Sequence, residues 1–446
     1  MSLAAGNVAS VTHRMLLAVA LPVMLSNLLT PLIGIVDTAA VGRLPEPYHI
    51  GAVAVGALIF DFVFWAFGFL RMGTSGFTAQ AEGAGDDQEL RDILTRAIGV
   101  ALVFGVVLIL VQPLIAHVAF ALVDGSAEVE REARAYFDIR IWSAPAALAN
   151  YAFFGFFIGL GRARTVIYFV LLVSTANAGL DAFFVLVLGM AADGVALGTL
   201  IAETAGSVGA VWLVAREFRN RGGSFSMAAI WHKARLKRMM QVNVDILIRS
   251  VLLVFAFSWF TAQSAGAGDV VLAANAVLIN LFMVMAYFLD GFAFAAETYV
   301  GQSIGARRRE IFWQAVRLST IWAFVIAAVV SMLFFVFGGY GIDLLTVNED
   351  VRRIARIYLP WTAIAPVIGF WCFQLDGIFI GATQTRDMRN MMLITIVIYL
   401  AAWWLLVAAF DNHGRWASIM VLVVVRAGTL AARLPALDRA AVPGRS

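Results

Sequence analysis

The sequence predicts an all-α polytopic membrane protein with twelve transmembrane helices. They form two six-helix lobes, related as parallel repeats around a central cleft. Three observations lead there. Of 446 residues, 62% are hydrophobic and only 14% charged, with a mean hydropathy of +0.87; soluble domains run at about 45–50% and about 25%. A water-soluble chain this apolar could not cover its own surface. The apolar residues also fall into runs of twenty or more, the length a spanning helix needs. Finally, the chain repeats itself at a fixed shift of 222 residues.

In chain order the runs cover about 15–41, 51–79, 93–122, 134–160, 164–189 and 192–214, then 238–264, 271–300, 312–338, 353–382, 390–410 and 415–435. The first lacks a small-residue cleavage site and reads as a retained helix, not a signal peptide. It contains Pro22 and Pro31, each of which removes a helical hydrogen bond and offers a place to bend. None of the runs alternates with period two, and all are too long for barrel strands. Orientation follows the basic residues. Arg216, Arg219, Arg221, Lys233, Arg235, Lys237 and Arg238 follow the sixth run; Arg162 and Arg164 the fourth; Arg307, Arg308 and Arg309 the eighth; Arg386 and Arg389 the tenth. All fall on one side, which makes both termini cytoplasmic. Arg352, Arg353 and Arg356 break the pattern on the other side, beside Glu349 and Asp350.

At the 222-residue shift three clusters come into register. Ala54-Val55 meets Ala276-Val277, Gln80 with Gly83-Ala84 meets Gln302 with Gly305-Ala306, and Gly155-x-Phe157-Ile158-Gly159 meets Gly377-x-Phe379-Ile380-Gly381. Each half has an even number of spans, so both enter from the same side. The expected lobes are residues 1–220 (helices one to six) and 221–446 (helices seven to twelve). The net charge of +3 is scattered through short loops, which argues against a nucleic-acid partner. The single cysteine, Cys372, excludes a disulfide framework.

Ionisable groups inside spans each cost at least about 2.5–3.5 kcal/mol at the bilayer centre unless paired or wet, so they are functional candidates. They are Asp37, Asp61, Arg71, Asp181 and Glu203 in the first half, and Asp245, Arg249, Asp290, Glu297 and Asp376 in the second. Asn177 and Asp181 share one face of the fifth helix; Thr199 and Glu203 repeat that spacing on the sixth. The shift pairs Asp37 with Trp259, Asn177 with Tyr399, Asp181 with Trp403 and Thr199 with Val421. These polar groups therefore occur in one half only. Two acids in a low-dielectric lobe cannot both ionise cheaply. Such a site takes up a proton, or binds a sodium ion at Asp37, Asn177, Asp181 and Thr199. The inward flow of that ion would drive export of a solute. Asp245 and Arg249, four apart, read as an intrahelical ion pair. Glu203, Asp290, Glu297 and Asp376 are accessory polar candidates, the last three as a second site in the other lobe.

Other chemistries find little support. Gly73-Thr-Ser75-Gly76 matches the short pattern of an intramembrane serine protease, but only His117 lies within a span as a base. No HExxH zinc motif and no GxxxxGK[ST] phosphate loop occurs.

Taken together, Pro22, Asp37-Thr38 through Gly42, Phe69-Leu-Arg-Met-Gly73-Thr74 with Gln80, Asn177-x-x-x-Asp181, Val300-Gly-Gln302-x-x-Gly305-Ala306 and Asp376-Gly377-x-x-x-Gly381-Ala382 resemble the multidrug and toxic compound extrusion (MATE) family, in its DinF-like bacterial branch. The likeness covers essentially the whole chain. It implies a cation-coupled antiporter, not an enzyme, that exports varied, often cationic organic compounds by alternating access. It implies a bacterial inner membrane, a monomer, and no cofactor beyond H+ or Na+ as coupling ion. In that branch the cation site lies on helices one, five and six, where Asp37, Asn177, Asp181 and Thr199 fall at matching positions, and Pro22 is the matching hinge. A major facilitator is disfavoured because the stretch Glu82-Gly-Ala-Gly-Asp-Asp-Gln-Glu89 is acidic where that fold carries a basic motif. A lipid-linked oligosaccharide or lipid flippase of the same superfamily is the alternative, expected to have a more basic cavity than these mainly acidic intramembrane charges suggest.

Overall fold

The computed structural model describes residues 10–42, 46, 48–122, 126–229 and 231–441, with side chains placed except at 30–41, 229, 440 and 441. Helices follow one another as α1 (His13–Val41), α2 (Tyr48–Ala84), α3 (Asp87–Leu110), α4 (Ala127–Gly159), α5 (Ala163–Val187), α6 (Ala192–Asn220), α7 (Lys233–Ala265), α8 (Asp269–Gly305), α9 (Arg309–Leu345) and α10 (Glu349–Gly381). The last helical stretch, Thr385–Ala441, is divided at Asp411 (φ 47°, ψ −119°) into α11 (385–410) and α12 (412–441). No strand occurs among the described residues. Ten of these helices are long and apolar enough to cross a membrane, the divided stretch counting once. Their outward side chains include Leu110 and Leu405, each at 73% exposure, which suits hydrocarbon and not water.

One expected span differs. The run 93–122 is not a single helix: α3 stops at Leu110 and a separate helix, Gln112–Leu122, continues it. Pro113 has no N–H to carry the ladder across that point.

The residues form two compact units. The first holds Leu25–Ala81 and Asp86–Met239; the second holds the chain up to Met24, Glu82–Gly85 and everything from Met240 onward. Inside each unit the same crossing recurs. A Cβ at Gly155 of α4 would fall on the Arg71 carbonyl of α2, and one at Gly159 on the Ser75 carbonyl. In the second unit Gly377 of α10 meets the Ala293 carbonyl of α8, and Gly381 the Glu297 carbonyl. Each second-unit pair is the first-unit pair plus 222. Small residues let backbones touch where lipid offers no hydrophobic drive for helix association.

The repeat reaches the turns as well. After α4, Gly161 adopts φ 71° while Arg162 N–H donates to the Phe157 carbonyl at 2.8 Å; after α10, Thr383 adopts φ 54° while Gln384 N–H donates to Phe379 at 3.0 Å. Gly85 (φ 68°) and Arg307 (φ 54°) match in the turns after α2 and α8. These are helix ends closed by a left-handed residue, which glycine adopts without strain.

One buried polar group of the second unit is satisfied across three helices. Asn275 of α8 donates to Asn412 (2.8 Å) and to Ser264 (3.0 Å), and accepts from Trp416 (2.9 Å). In α10 the Ala363 carbonyl, near Pro366, accepts from Ser331 of α9. The three arginines that break the charge pattern are all paired: Arg352 with Glu349 at 2.6 Å, Arg353 with Asp350 at 3.0 Å and Arg356 with Asp343 at 2.5 Å.

Candidate functional site

In the first unit α5 and α6 place three of the four expected ion-site residues together. Asn177, Asp181 and Thr199 are 3%, 0% and 7% exposed. Asn177 Nδ2 donates to Thr199 Oγ1 at 3.1 Å, and that hydroxyl donates to the Val195 carbonyl at 3.0 Å. This leaves Asn177 Oδ1 buried, with no donor from the chain. Gly198, just before Thr199, gives Asp181 its place, since a Cβ there would coincide with a carboxylate oxygen. Below Asp181, α5 ends in a π-helical turn, Phe183–Val187, a widening common at functional sites. Nothing in the composition of that stretch signals it.

The donor set is a carboxylate, an amide oxygen and a hydroxyl, all hard oxygen ligands. Such a set suits a small hard cation or a proton and offers nothing to softer metals. The Asp37 side chain lies outside the described residues; its backbone belongs to α1. Pro22 does not interrupt α1, but the division between the two units falls just after it, between Met24 and Leu25.

Glu203, one turn beyond Thr199, belongs to a different group. Its carboxylate faces Arg140 of α4 at 3.9 Å, and its carbonyl accepts from Asn150 at 3.0 Å. Tyr151 lies in the combined field of Glu203, Asp61, Arg71 and Arg140. Arg140, near the start of the fourth predicted span, was not among the expected intramembrane charges; only the packing of α4 on α6 reveals it.

The counterpart positions in the second unit form an aromatic group. Trp259 of α7 meets Trp403 of α11 edge-on at 6.4 Å between centroids, and Tyr399 lies 6.0 Å from Trp403. The Tyr399 hydroxyl donates to the Ala256 carbonyl at 3.2 Å. Where one unit buries polar oxygens, the other is filled with rings.

The second unit's charges require two corrections. Asp245 and Arg249 do not pair with each other. Asp245 accepts from Arg389 at 2.6 Å and from Thr385 at 3.3 Å, while Arg249 reaches Asp376. Spacing of four permits an intrahelical pair, but partners on α10 and α11 outcompete it. Nor are the buried charges mainly acidic. Asp376 of α10 accepts from both Arg249 and Arg426 of α12, and all three are under 9% exposed. Glu297 is fully buried one helical stretch away, with Gly381 packed on its carbonyl.

The protease pattern has a packing explanation. Ser75 is buried, its hydroxyl donates to the Met72 carbonyl at 2.9 Å, and Gly159 rests on its own carbonyl. His117 is exposed.

The chain was compared with known proteins. The MatE family profile matches residues 22–206 and 246–405. DNA damage-inducible protein F of Escherichia coli (strain K12) is 37% identical over 413 residues, 93% of this chain and 90% of that protein. The probable multidrug resistance protein NorM of Thermotoga maritima is 23% identical over 405 residues, 88% of this chain and 83% of that protein. Among solved structures, the outward-facing conformation of a multidrug resistance MATE family transporter of the MOP superfamily has a TM-score of 0.85 at 19% identity, covering 96% of this chain and 97% of that one.

Proposed function

This chain belongs to the MatE family of multi-pass membrane transporters, not enzymes, and we propose that it exports organic, often cationic compounds by alternating access in exchange for protons or sodium ions. The observation that carries this reading is the buried Asn177–Thr199 pair beside Asp181, in one unit only. Trp259 touches Trp403 in the second unit, and the 222-residue shift makes these the counterparts of Asp37 and Asp181. The same register supports Asp37 as the fourth member of the site. Each charge entering through 100 mV supplies about 2.3 kcal/mol, enough to hold a neutral solute at roughly a fiftyfold ratio. Filling the site would change the shape of α1 or of the cavity and expel substrate. The names of the Thermotoga relative and of the aligned structure, both multidrug resistance proteins, favour this substrate class.

The reading includes the lobes 1–220 and 221–446, both termini cytoplasmic, a bacterial inner membrane and a monomer. Its test is purified protein in liposomes loaded with a fluorescent cation, under an imposed pH or an imposed sodium gradient. Wild type should transport with one gradient, and Asp37→Asn or Asp181→Asn with neither. Wild-type rates in either variant would remove the site assignment. The buried Arg249 and Arg426 favour a second reading, a lipid or lipid-linked oligosaccharide flippase. Lipid movement without any cation-driven drug flux would decide for it.

A further inference from the structure

We propose that Asp61 of α2, together with Leu58, Phe62 and Trp65 on the same face, holds the exported compound, the carboxylate taking its positive charge and the three side chains its apolar body. This role rests on the export reading above and supplies the residues behind a preference for cations. All four lie in the first unit.

One face of α2 is packed. Gly56 lies against the Tyr136 ring with no room for a Cβ, and the Phe60 ring meets Phe137 at 5.2 Å and Tyr136 at 6.3 Å. The other face is bare. Leu58 is 59% exposed, Phe62 67% and Trp65 44%, and Asp61 is exposed among them. Positions 58, 61, 62 and 65 follow the helical repeat and so share one stripe. Among the described residues Asp61 takes part in no hydrogen bond or salt bridge; only the charge of Arg140 acts on it. Arg140 itself donates to the Tyr136 hydroxyl and lies 3.9 Å from Glu203. Arg71, further down α2, is about 15 Å away along the helix axis.

That stripe does not suit hydrocarbon. Asp61 is about 8 Å along the axis from Ala66, the midpoint of α2, inside a hydrocarbon layer of about 30 Å. An ionised carboxylate turned to lipid near the bilayer centre costs at least about 2.5–3.5 kcal/mol. The cost falls away where the stripe faces water. A wetted face with three large apolar side chains around one carboxylate matches an amphiphilic cation, apolar contact giving affinity and the charge giving orientation. Aromatic faces attract such cations as well.

The repeat separates this group from the scaffold. At the 222-residue shift, Ala52 and Phe60 of the packed face keep their identity as Ala274 and Phe282, all four buried. The exposed face does not. Asp61 falls on Met283, Leu58 on Asn280 and Trp65 on Tyr287. The backbone differs too. Immediately after Trp65, α2 tightens into a 3₁₀ turn at Ala66–Gly68, whereas α8 runs unbroken from Asp269 to Gly305. Tightened turns inside a helix are common at functional hinges. The stripe therefore ends where α2 has a place to bend.

The test is equilibrium binding of tetraphenylphosphonium and of neutral triphenylphosphine oxide to the full chain in detergent, without any gradient. Wild type should prefer the cation. Asp61→Asn should weaken the cation at least about tenfold, as expected for one opposite charge at contact distance, and leave the neutral compound unchanged. Asp61→Glu should keep the preference, and Phe62→Ala with Trp65→Ala should weaken both compounds. In membranes, Leu58→Cys should react with a water-soluble maleimide and be protected by the cation; the native Cys372 is fully buried and stays silent. Undiminished cation binding by Asp61→Asn would overturn the proposal and leave the export reading standing, as would a Leu58→Cys variant that stays unlabelled. Wild type that binds neither compound would remove the export reading and this role with it. If Asp61→Asn fails to fold, the Phe62 and Trp65 pair and the labelling of Leu58→Cys still decide.

Discussion

Gly155 of α4 rests directly on the carbonyl of Arg71 in α2, leaving no room for a methyl group between the two helices. The contact recurs as Gly377 on Ala293 in the second unit. Gly155→Ala and Gly377→Ala should each lower stability by about 1–3 kcal/mol through overpacking. Thermal unfolding in detergent measures this, and an unchanged melting temperature would mean that the helices can part freely.

Gly198 tests the ion site without touching its chemistry. A methyl group there takes the place of an Asp181 carboxylate oxygen, so Gly198→Ala should cut ion-driven export at least tenfold. Substrate binding should survive. Trp259→Phe, at the second-unit counterpart of Asp37, should leave coupling intact. Fluorescent-cation transport in liposomes reads both.

Asp245 should couple to Arg389 and not to Arg249. In double-mutant cycles with Asp245→Asn, the Arg389→Gln cycle should show about 0.5–3 kcal/mol of interaction and the Arg249→Gln cycle close to none. The reverse result would restore the intrahelical pair.

Asp376 is shared by two buried arginines. Asp376→Ala should cost about 3–5 kcal/mol, the range for removing one partner of a buried ion pair, because two guanidiniums lose a common partner. Arg249→Met alone should cost less, since Arg426 still holds the carboxylate. Yield of folded protein and melting temperature give the order.

Thr383 adopts the left-handed conformation that Gly161 supplies in the equivalent turn. Thr383→Gly should therefore stabilise by up to about 1 kcal/mol, the residual strain after glycine's own entropy cost. A loss of stability would show that the threonine hydroxyl matters more than the backbone.

Much of the fold could be read from residue order because a bilayer enforces a simple code. Apolar runs of spanning length, broken by charge, located every helix except the division at Val111, where proline inside an apolar run left no mark in hydropathy. The repeat was legible at glycine clusters, since only glycine permits backbone contact and its position cannot drift. Its extension to Arg307 and Thr383 was not, because those residues mimic glycine's conformation without sharing its identity. Within the site, Asn177, Asp181 and Thr199 were legible through spacing and one-sidedness.

The sequence by itself determined a twice-repeated helical membrane chain with polar, oxygen-bearing side chains on two helices of one half, because periodicity and burial cost are local properties. Only the tertiary structure decided who pairs with whom. Asp245 chose Arg389, Asp376 took both Arg249 and Arg426, and Glu203 turned to Arg140. In a low-dielectric interior a charge selects the best-placed opposite charge, and placement across helices depends on packing that no single helix encodes.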